Sequence, residues 1–161
     1  MDKITERKAN KINGFIALFI VIGLFALDIF LLATGIRTED PSFLWFFIPL
    51  VFISFVSFGG FMIVQPNESK VLMLFGKYTG TVKDSGFWWV NPFTVKKHVT
   101  LRIRNFNSER LKVNDLHGNP IEIATVIVWR VVDSARAIFD VQNYEQFVAI
   151  QSETAIRSMA S

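Results

Sequence analysis

No cysteine occurs among the 161 residues. That removes disulfides, thiol catalysis and cysteine-ligated metal, although it identifies no compartment. Histidine is almost as scarce: His98 lies in a strand-like stretch and His117 in a turn-like one, neither with triad context. The chain holds no G-x-x-x-x-G-K-[ST] phosphate cradle, no G-x-S-x-G elbow and no H-E-x-x-H helix. Its formal net charge is +3 and its pI about 9.3, well short of the dense cationic face a nucleic-acid binder needs. No catalytic residue, cofactor, metal or nucleic-acid partner is expected, and the chain reads as a non-enzyme.

What the chain does have is apolar length. Hydrophobic residues make up 51% of it and the mean hydropathy is +0.36, with the excess concentrated in the first 64 residues. Two apolar runs, residues 14–36 and 43–64, are divided by the short polar loop 37–42. Each meets the ~20 residues of helix that cross a bilayer core, so each is predicted to be a transmembrane helix and the lipid bilayer is the first expected partner. The first run exceeds the ~7–15 residues of a signal-peptide core. Only Ala33-Thr34-Gly35 offers a weak cleavage site, so a retained span is preferred to a cleaved leader.

Basic residues favour the cytoplasmic side of a membrane. Lys3, Arg7, Lys8 and Lys11 precede the first run, Arg37 alone lies between the runs, and Lys70, Lys77 and Lys83 follow the second. The expectation is an integral membrane protein with two spans, both termini cytoplasmic, residues 1–13 a basic tail and 37–42 an extracytoplasmic loop. A hairpin dipping into one leaflet is the competing arrangement. It would bury Arg37, Glu39 and Asp40 at ~2.5–3.5 kcal/mol per charge even on the lenient insertion scale.

Asp28 is an intramembrane polar residue. As an ion or proton site it lacks a partner His, Lys or Arg in either run; a polar contact to the neighbouring helix, or a reach toward the headgroups, is the preferred reading. Pro49 removes a backbone donor from the second run. Gly23, Gly59 and Gly60 allow close helix approach.

Residues 65–161 read as one small domain, near the lower end of the usual ~100–150 residues. A strand is predicted over 70–78, apolar on both faces. The stretch Phe87-Trp88-Trp89-Val90-Asn91-Pro92-Phe93 has two open readings, a core plug or a wedge at the membrane interface where Trp is favoured. Phe87, Trp88, Trp89 and Phe93 are therefore membrane-interface candidates. Between residues 98 and 106 apolar and polar residues alternate as in a half-exposed strand. Arg102 and Arg104 share its polar face, as candidate contacts to a partner or to acidic lipid, or simply as a solvated face. Leu111 and Val113 open a further strand before the turn-rich Asn114-Asp115-Leu116-His117-Gly118-Asn119-Pro120, and residues 121–132 return as a long strand, making a hairpin. Asp115 and His117 lack metal-ligand spacing. Asp133 or Ser134 then caps a short helix, and Asn143, with Gln146 three residues on, caps a longer one. The pattern still runs at Ser161, so a helix cut in mid-course is expected.

Several of these residues resemble a known family. Val64-Gln65-Pro66-Asn67-Glu68, Leu74-Phe75-Gly76-Lys77-Tyr78-Thr79-Gly80-Thr81 and Gly86-Phe87-Trp88 through Asn91-Pro92-Phe93 are similar to the opening of the stomatin/prohibitin/flotillin (SPFH, or Band 7) domain. Asp115-Leu116-His117-Gly118-Asn119-Pro120-Ile121-Glu122-Ile123 resembles its D-x-x-G-x-P-V-x-V strand entry, and Val128-Trp129-Arg130-Val131-Val132-Asp133 its Y-R-V-x-D exit. Ala137-Ile138-Phe139, Val141-Gln142-Asn143-Tyr144 and Ala155-Ile156-Arg157-Ser158 resemble the helices that follow.

The resemblance spans residues 64–161. It implies an α+β domain, rich in antiparallel sheet with packed helices, behind a membrane two-helix N-terminal region. It also implies a non-enzymatic membrane-anchored scaffold that organises microdomains and membrane protein complexes by homo-oligomerising. Relatives continue into a coiled coil, so the domain is expected to be incomplete here. The alternative is an accessory or regulatory subunit of one membrane protease or transporter complex, contacting it through Arg102 and Arg104. A two-span transporter working through Asp28 is the third reading.

Overall fold

The computed structural model describes residues 5–38, 41–108, 110–114 and 120–160. It divides into two compact units, one of residues 7–97 and one of residues 98–161 together with the first six.

The first unit begins with a short strand, β1 (Ile12–Asn13), that runs directly into α1 (Gly14–Thr38). A 3-10 turn (Pro41–Phe43) leads to α2 (Leu44–Phe58). Both helices are apolar around their whole circumference. Phe19 is 75% exposed, Trp45 83% and Phe46 77%, which a helix in the core of a water-soluble domain would not tolerate. They are candidate membrane spans of 25 and, counting from Pro41, 18 residues. At 1.5 Å per residue the first is about 37 Å long and the second about 27 Å, against a ~30 Å hydrocarbon core.

The two helices pack along one stripe. The buried positions Gly14, Val21, Asp28 and Gly35 of α1 recur at coiled-coil spacing. Phe25 lies 5.3 Å from Phe58 and 6.4 Å from Phe55, ring to ring. Gly35 leaves room for the Phe43 ring, which a Cβ would meet at 2.4 Å.

After α2 come β2 (Phe61–Val64), β3 (Glu68–Leu74), β4 (Lys77–Val82), β5 (Gly86–Trp89) and β6 (Thr94–Thr100). They form two three-stranded sheets, β1-β5-β2 and β4-β3-β6, with β6 running on across the boundary of the unit. β5 is antiparallel to both neighbours: Ile12 pairs with Trp89 on one side, and Phe61 pairs with Trp89 on the other. Met62, Val64, Leu72, Val82 and Val90 make the core between the sheets, with Ala9 and Trp88 packed against it. Val71 and Leu72, next to each other in β3, are both at 2% exposure or less, as a strand covered on both faces requires.

The second unit holds β7 (Arg104–Asn107), β8 (Leu111–Asn114), β9 (Pro120–Ile123), β10 (Val126–Trp129), α3 (Ser134–Phe139) and α4 (Tyr144–Ala160). β7 pairs with β10 and β8 with β9, both antiparallel. The turn read at 114–120 has residues 115–119 outside the described residues. Asp133 caps α3 by accepting from the Arg136 N–H at 2.9 Å. Asn143 Oδ1 accepts from the N–H groups of Glu145 and Gln146 at 3.1 and 3.2 Å, so both helix starts are held by side chains that satisfy otherwise orphaned donors. Trp129 meets Tyr144 edge to face at 6.2 Å, joining β10 to α4.

Five features differ from the sequence reading. The second apolar run, taken as one helix over 43–64, is helical only to Phe58; Gly59 and Gly60 break it, and Phe61–Val64 is β2. Composition does not separate the two states, because a buried strand is as apolar as a span. The strand over 70–78 turns at Phe75 (φ 46°) and Gly76 (φ 82°) and becomes the β3–β4 hairpin. The continuous strands over 98–106 and 121–132 are each broken in two. In the second, the break at Ala124 and Thr125 lets the Thr125 N–H reach Ser108 Oγ at 2.9 Å. Finally, residues 7–13 are no free tail; they are built into the first unit.

Candidate functional site at the foot of the helix pair

The sheet β1-β5-β2 joins the residues just before α1 to those just after α2. The start of α1 and the end of α2 are therefore both tied to one strand, β5, and its aromatic residues make the joint. Phe87 stacks on Phe61 at 5.3 Å and meets Phe15, in the first turn of α1, edge to face at 5.4 Å. Gly14 allows this, since a Cβ there would come within 2.4 Å of the Phe87 ring. The Trp89 indole N–H donates to the Ser57 carbonyl in the last turn of α2 at 2.9 Å. Gly60 is required beside it: an added Cβ would stand 2.4 Å from Trp89 Nε1 and 2.5 Å from the Val90 carbonyl.

Lys96 completes the end of α2. Its ammonium donates to the carbonyls of Gly59 at 2.6 Å and Phe61 at 3.1 Å, where the helix leaves acceptors open and its dipole favours a cation. Burial, with a smaller contribution from the Lys70 charge, pulls the Lys96 amine below the ordinary lysine range.

Residues 7–11 form a strap across this region. The Ala9 N–H donates to the Thr81 carbonyl at 3.1 Å, and the Thr81 N–H to the Arg7 carbonyl at 2.7 Å. Tyr78 Oη accepts from the Arg7 N–H at 3.1 Å and shares a hydrogen with Thr81 Oγ1 at 2.7 Å. Gly80 lets the strap lie this close, since its Cβ would fall 2.6 Å from Ala9 Cα. At the end of the strap Lys11 Nζ sits 3.6 Å above the Trp88 ring and 2.5 Å from Asp84 Oδ2. That hydrogen bond, then the Lys11 charge, then more weakly Lys8, hold the Asp84 carboxyl below its ordinary value. The Trp88 N–H donates to the Asp84 carbonyl at 3.0 Å.

Of the interface candidates, Phe87, Trp88 and Trp89 thus share one strand and are half-buried, while Phe93 is 58% exposed and stacks on Phe75, itself 84% exposed, at 6.4 Å. Phe75 and Lys96 were not named as site residues, and Lys11 was named only among the basic residues of the N-terminal segment. Gly76 signals a turn, but nothing in the sequence marks the Phe75 before it as an exposed ring. Lys11 and Lys96 gain their positions only through contacts distant in sequence.

The other candidates lie elsewhere. Asp28 is 4% exposed and accepts from Ser54 Oγ at 2.8 Å across the helix pair; its Oδ1 is buried with no hydrogen-bond partner among the described residues. Arg104, in β7, is ion-paired with Glu145 of α4. Arg102 falls in the break between β6 and β7. His98 lies in β6, and Asp115 and His117 are outside the described residues. Among the described residues no three His, Asp or Glu side chains gather to hold a metal.

No curated protein matches this chain. The model of the SPFH domain / Band 7 family matches residues 62–161, from the strand that follows the second helix through to the end of the sequence. The chain belongs to the SPFH domain / Band 7 family.

Proposed function

We propose that this protein is a membrane-anchored scaffold, held in the bilayer by α1 and α2, whose SPFH domain associates with further copies and gathers membrane proteins and lipids around them. The family is generally scaffold-like and non-enzymatic. The observation that carries the reading is the three-stranded sheet β1-β5-β2. It fixes the strands of the first unit to the start of α1 and the end of α2 through backbone hydrogen bonds, where a flexible linker would let them swing free. A scaffold that arranges neighbours at a membrane needs that rigid joint.

Phe87, Trp88, Trp89 and Phe93 are assigned to the headgroup level, where amphipathic rings are favoured. The basic residues of the strap favour the cytoplasmic side for both ends of the helix pair. In the second unit the exposed Val126 and Val128, 64% and 63% exposed, lie on one side of β10 and offer an apolar face for association. Arg104 is drawn into an ion pair with Glu145, which weakens the case for a dedicated partner docking on the two arginines.

Native electrophoresis of the full-length protein after mild detergent extraction tests the proposal. A large homo-oligomer is expected; a strictly monomeric particle sinks it. Affinity capture that returns one stoichiometric protease or transporter, in place of self-association, would favour the accessory-subunit reading.

A further inference from the structure

Two loop tips of the first unit meet beside the end of α2. One is the two-residue loop of the β3–β4 hairpin, Phe75-Gly76, closed by the pairing of Leu74 with Lys77. The other is the turn from Asn91 to Thr94 that follows β5, closed by the Thr94 N–H donating to the Asn91 carbonyl at 3.1 Å. The rings at the two tips, Phe75 and Phe93, stack on each other. We propose that this ring pair is a wedge in the headgroup layer of the bilayer, a third footing for the first unit next to its two helices.

Three observations converge. The first is position. Pro92, the neighbour of Phe93, packs on Gly59, the residue that caps α2: a Cβ on Gly59 would stand 3.5 Å from Pro92 Cβ. The Val90 N–H donates to the Gly60 carbonyl at 3.0 Å, and Lys96 holds the carbonyls of Gly59 and Phe61. The turn is thus hung from both sides on the residues where the second candidate span ends, which is where hydrocarbon gives way to headgroups. It is also stiff. Asn91 Oδ1 accepts from the Phe93 N–H at 3.0 Å, and Thr94 Oγ1 donates to the Asn91 carbonyl at 2.6 Å.

The second is exposure. Phe75 and Phe93 are both exposed, and neither belongs to the core cluster. Rings held out at loop tips gain little in water, whereas aromatic side chains are favoured at the membrane interface. The third is the backbone. Phe75 has a φ of 46° and Gly76 a φ of 82°. Positive φ at both central residues is the mark of the type I′ hairpin turn, for which Asn-Gly is a preferred pair. A bulky residue there is strained, and such strain collects at functional positions. Asparagine would suit the fold better at position 75, so what favours phenylalanine lies outside the fold. A second copy of the chain could also cover the rings, but their place beside the end of α2 favours lipid, which surrounds that helix without any further assembly.

This inference rests on the helix pair being in a bilayer, and the experiment separates the two. The chain has no native cysteine, so Lys77→Cys, at an exposed position beside the tip, takes a single environment-sensitive fluorophore. The labelled full-length protein is reconstituted into phosphatidylcholine vesicles, and insertion is read by flotation. Its emission is then challenged from the lipid side by phosphatidylcholine carrying a nitroxide on the upper part of its acyl chain, and from the water side by iodide. Quenching by the nitroxide lipid is expected. Phe75→Asn, which removes the ring and suits the turn, is expected to abolish that quenching and to open the probe to iodide, while flotation is unchanged and the thermal midpoint in detergent holds or rises. A probe that the lipid does not quench in a floating protein overturns the wedge alone. So does quenching that survives Phe75→Asn, or energy transfer between copies in its place. A midpoint lowered by Phe75→Asn overturns it as well, because the ring then serves the fold. Failure of the protein to float overturns both the wedge and the anchor.

Discussion

Ser54 Oγ donates to Asp28 Oδ2 at 2.8 Å, the polar contact that bridges the two apolar helices. Both residues are sealed from outside, at 0% and 4% exposure. In hydrocarbon a carboxyl group has no water to turn to, so the hydroxyl opposite fixes both the rotation and the depth of one helix against the other. Ser54→Ala should therefore destabilise the helix pair by about 1–2 kcal/mol, and Asp28→Asn, which can still accept from Ser54, by less. Unfolding in bicelles, with the double variant closing the cycle, measures this. A Ser54→Ala effect near zero would deny the contact any part in holding the helices.

Gly60→Ala should be the most damaging small substitution at the joint. The added methyl meets the Val90 carbonyl at 2.5 Å, and backbone cannot swing away as a side-chain tip can. A cost of about 1–3 kcal/mol is expected, with loss of the Trp89–Ser57 hydrogen bond. Thermal unfolding in detergent, followed by tryptophan emission, reads both.

Gly80→Val should release the strap and also strain β4, because Gly80 has a φ of 155° that a side chain rarely adopts. The larger side chain displaces Ala9, whose Cα lies 2.6 Å from where a Cβ would stand. Trypsin should then cut after Arg7, Lys8 or Lys11 about tenfold faster, as a local opening made easier by ~1.4 kcal/mol predicts. Unchanged cleavage would mean that the strap is equally open in the wild type.

The contact between Lys11 and Asp84 should loosen in acid. Lys11 holds the Asp84 carboxyl below its ordinary 3.8 in the folded protein. A depressed carboxyl stabilises the fold above its unfolded pKa, and this stabilisation is lost as pH falls through the lower, folded value. Strap docking should be constant from pH 7 down to about 5 and weaken below about 4. Asp84→Asn should remove that dependence. Emission from Trp88, which lies under the Lys11 ammonium, is the readout, compared with and without the Asn substitution.

Asn143→Ala should cost the second unit about 1 kcal/mol, because two backbone donors, those of Glu145 and Gln146, share that one oxygen. Asn143→Asp should retain most of the stability. Denaturant unfolding of the full chain in detergent, monitored through Trp129 beside Tyr144, checks both.

The elements most legible in sequence are those governed by local rules. Residues 14–36 are apolar on every side, and such a run has few folded states open to it. Asp133 and Asn143 announce helix starts because each satisfies donors two or three residues on. The β8–β9 hairpin follows from two apolar stretches around a turn-forming segment. The joint at the foot of the helices was largely hidden. Its parts are short, and their partners are remote: Lys96 reaches Gly59 across 37 positions, and Arg7 reaches Tyr78 across 71. Residues 7–13 have no periodicity, so nothing marked them as a strap. Phe61–Val64 was concealed differently, because the hydrophobicity that fits a strand against β5 is the same hydrophobicity that fits a span. Phe87, Trp88 and Trp89 were recognisable as unusual, but the sequence left core and interface open. The structure sets Phe87 against the first turn of α1 and Trp89 against the last turn of α2, with Trp88 packed on the core.

The position of β5 between β1 and β2 also sets an order of assembly. The ribosome delivers β1 first, then both apolar helices, then β2, and only afterwards the strand that must slot between the two outer ones. The sheet is complete only when the start of α1 and the end of α2 lie on either side of that one strand, so its closure couples the placement of the two helices.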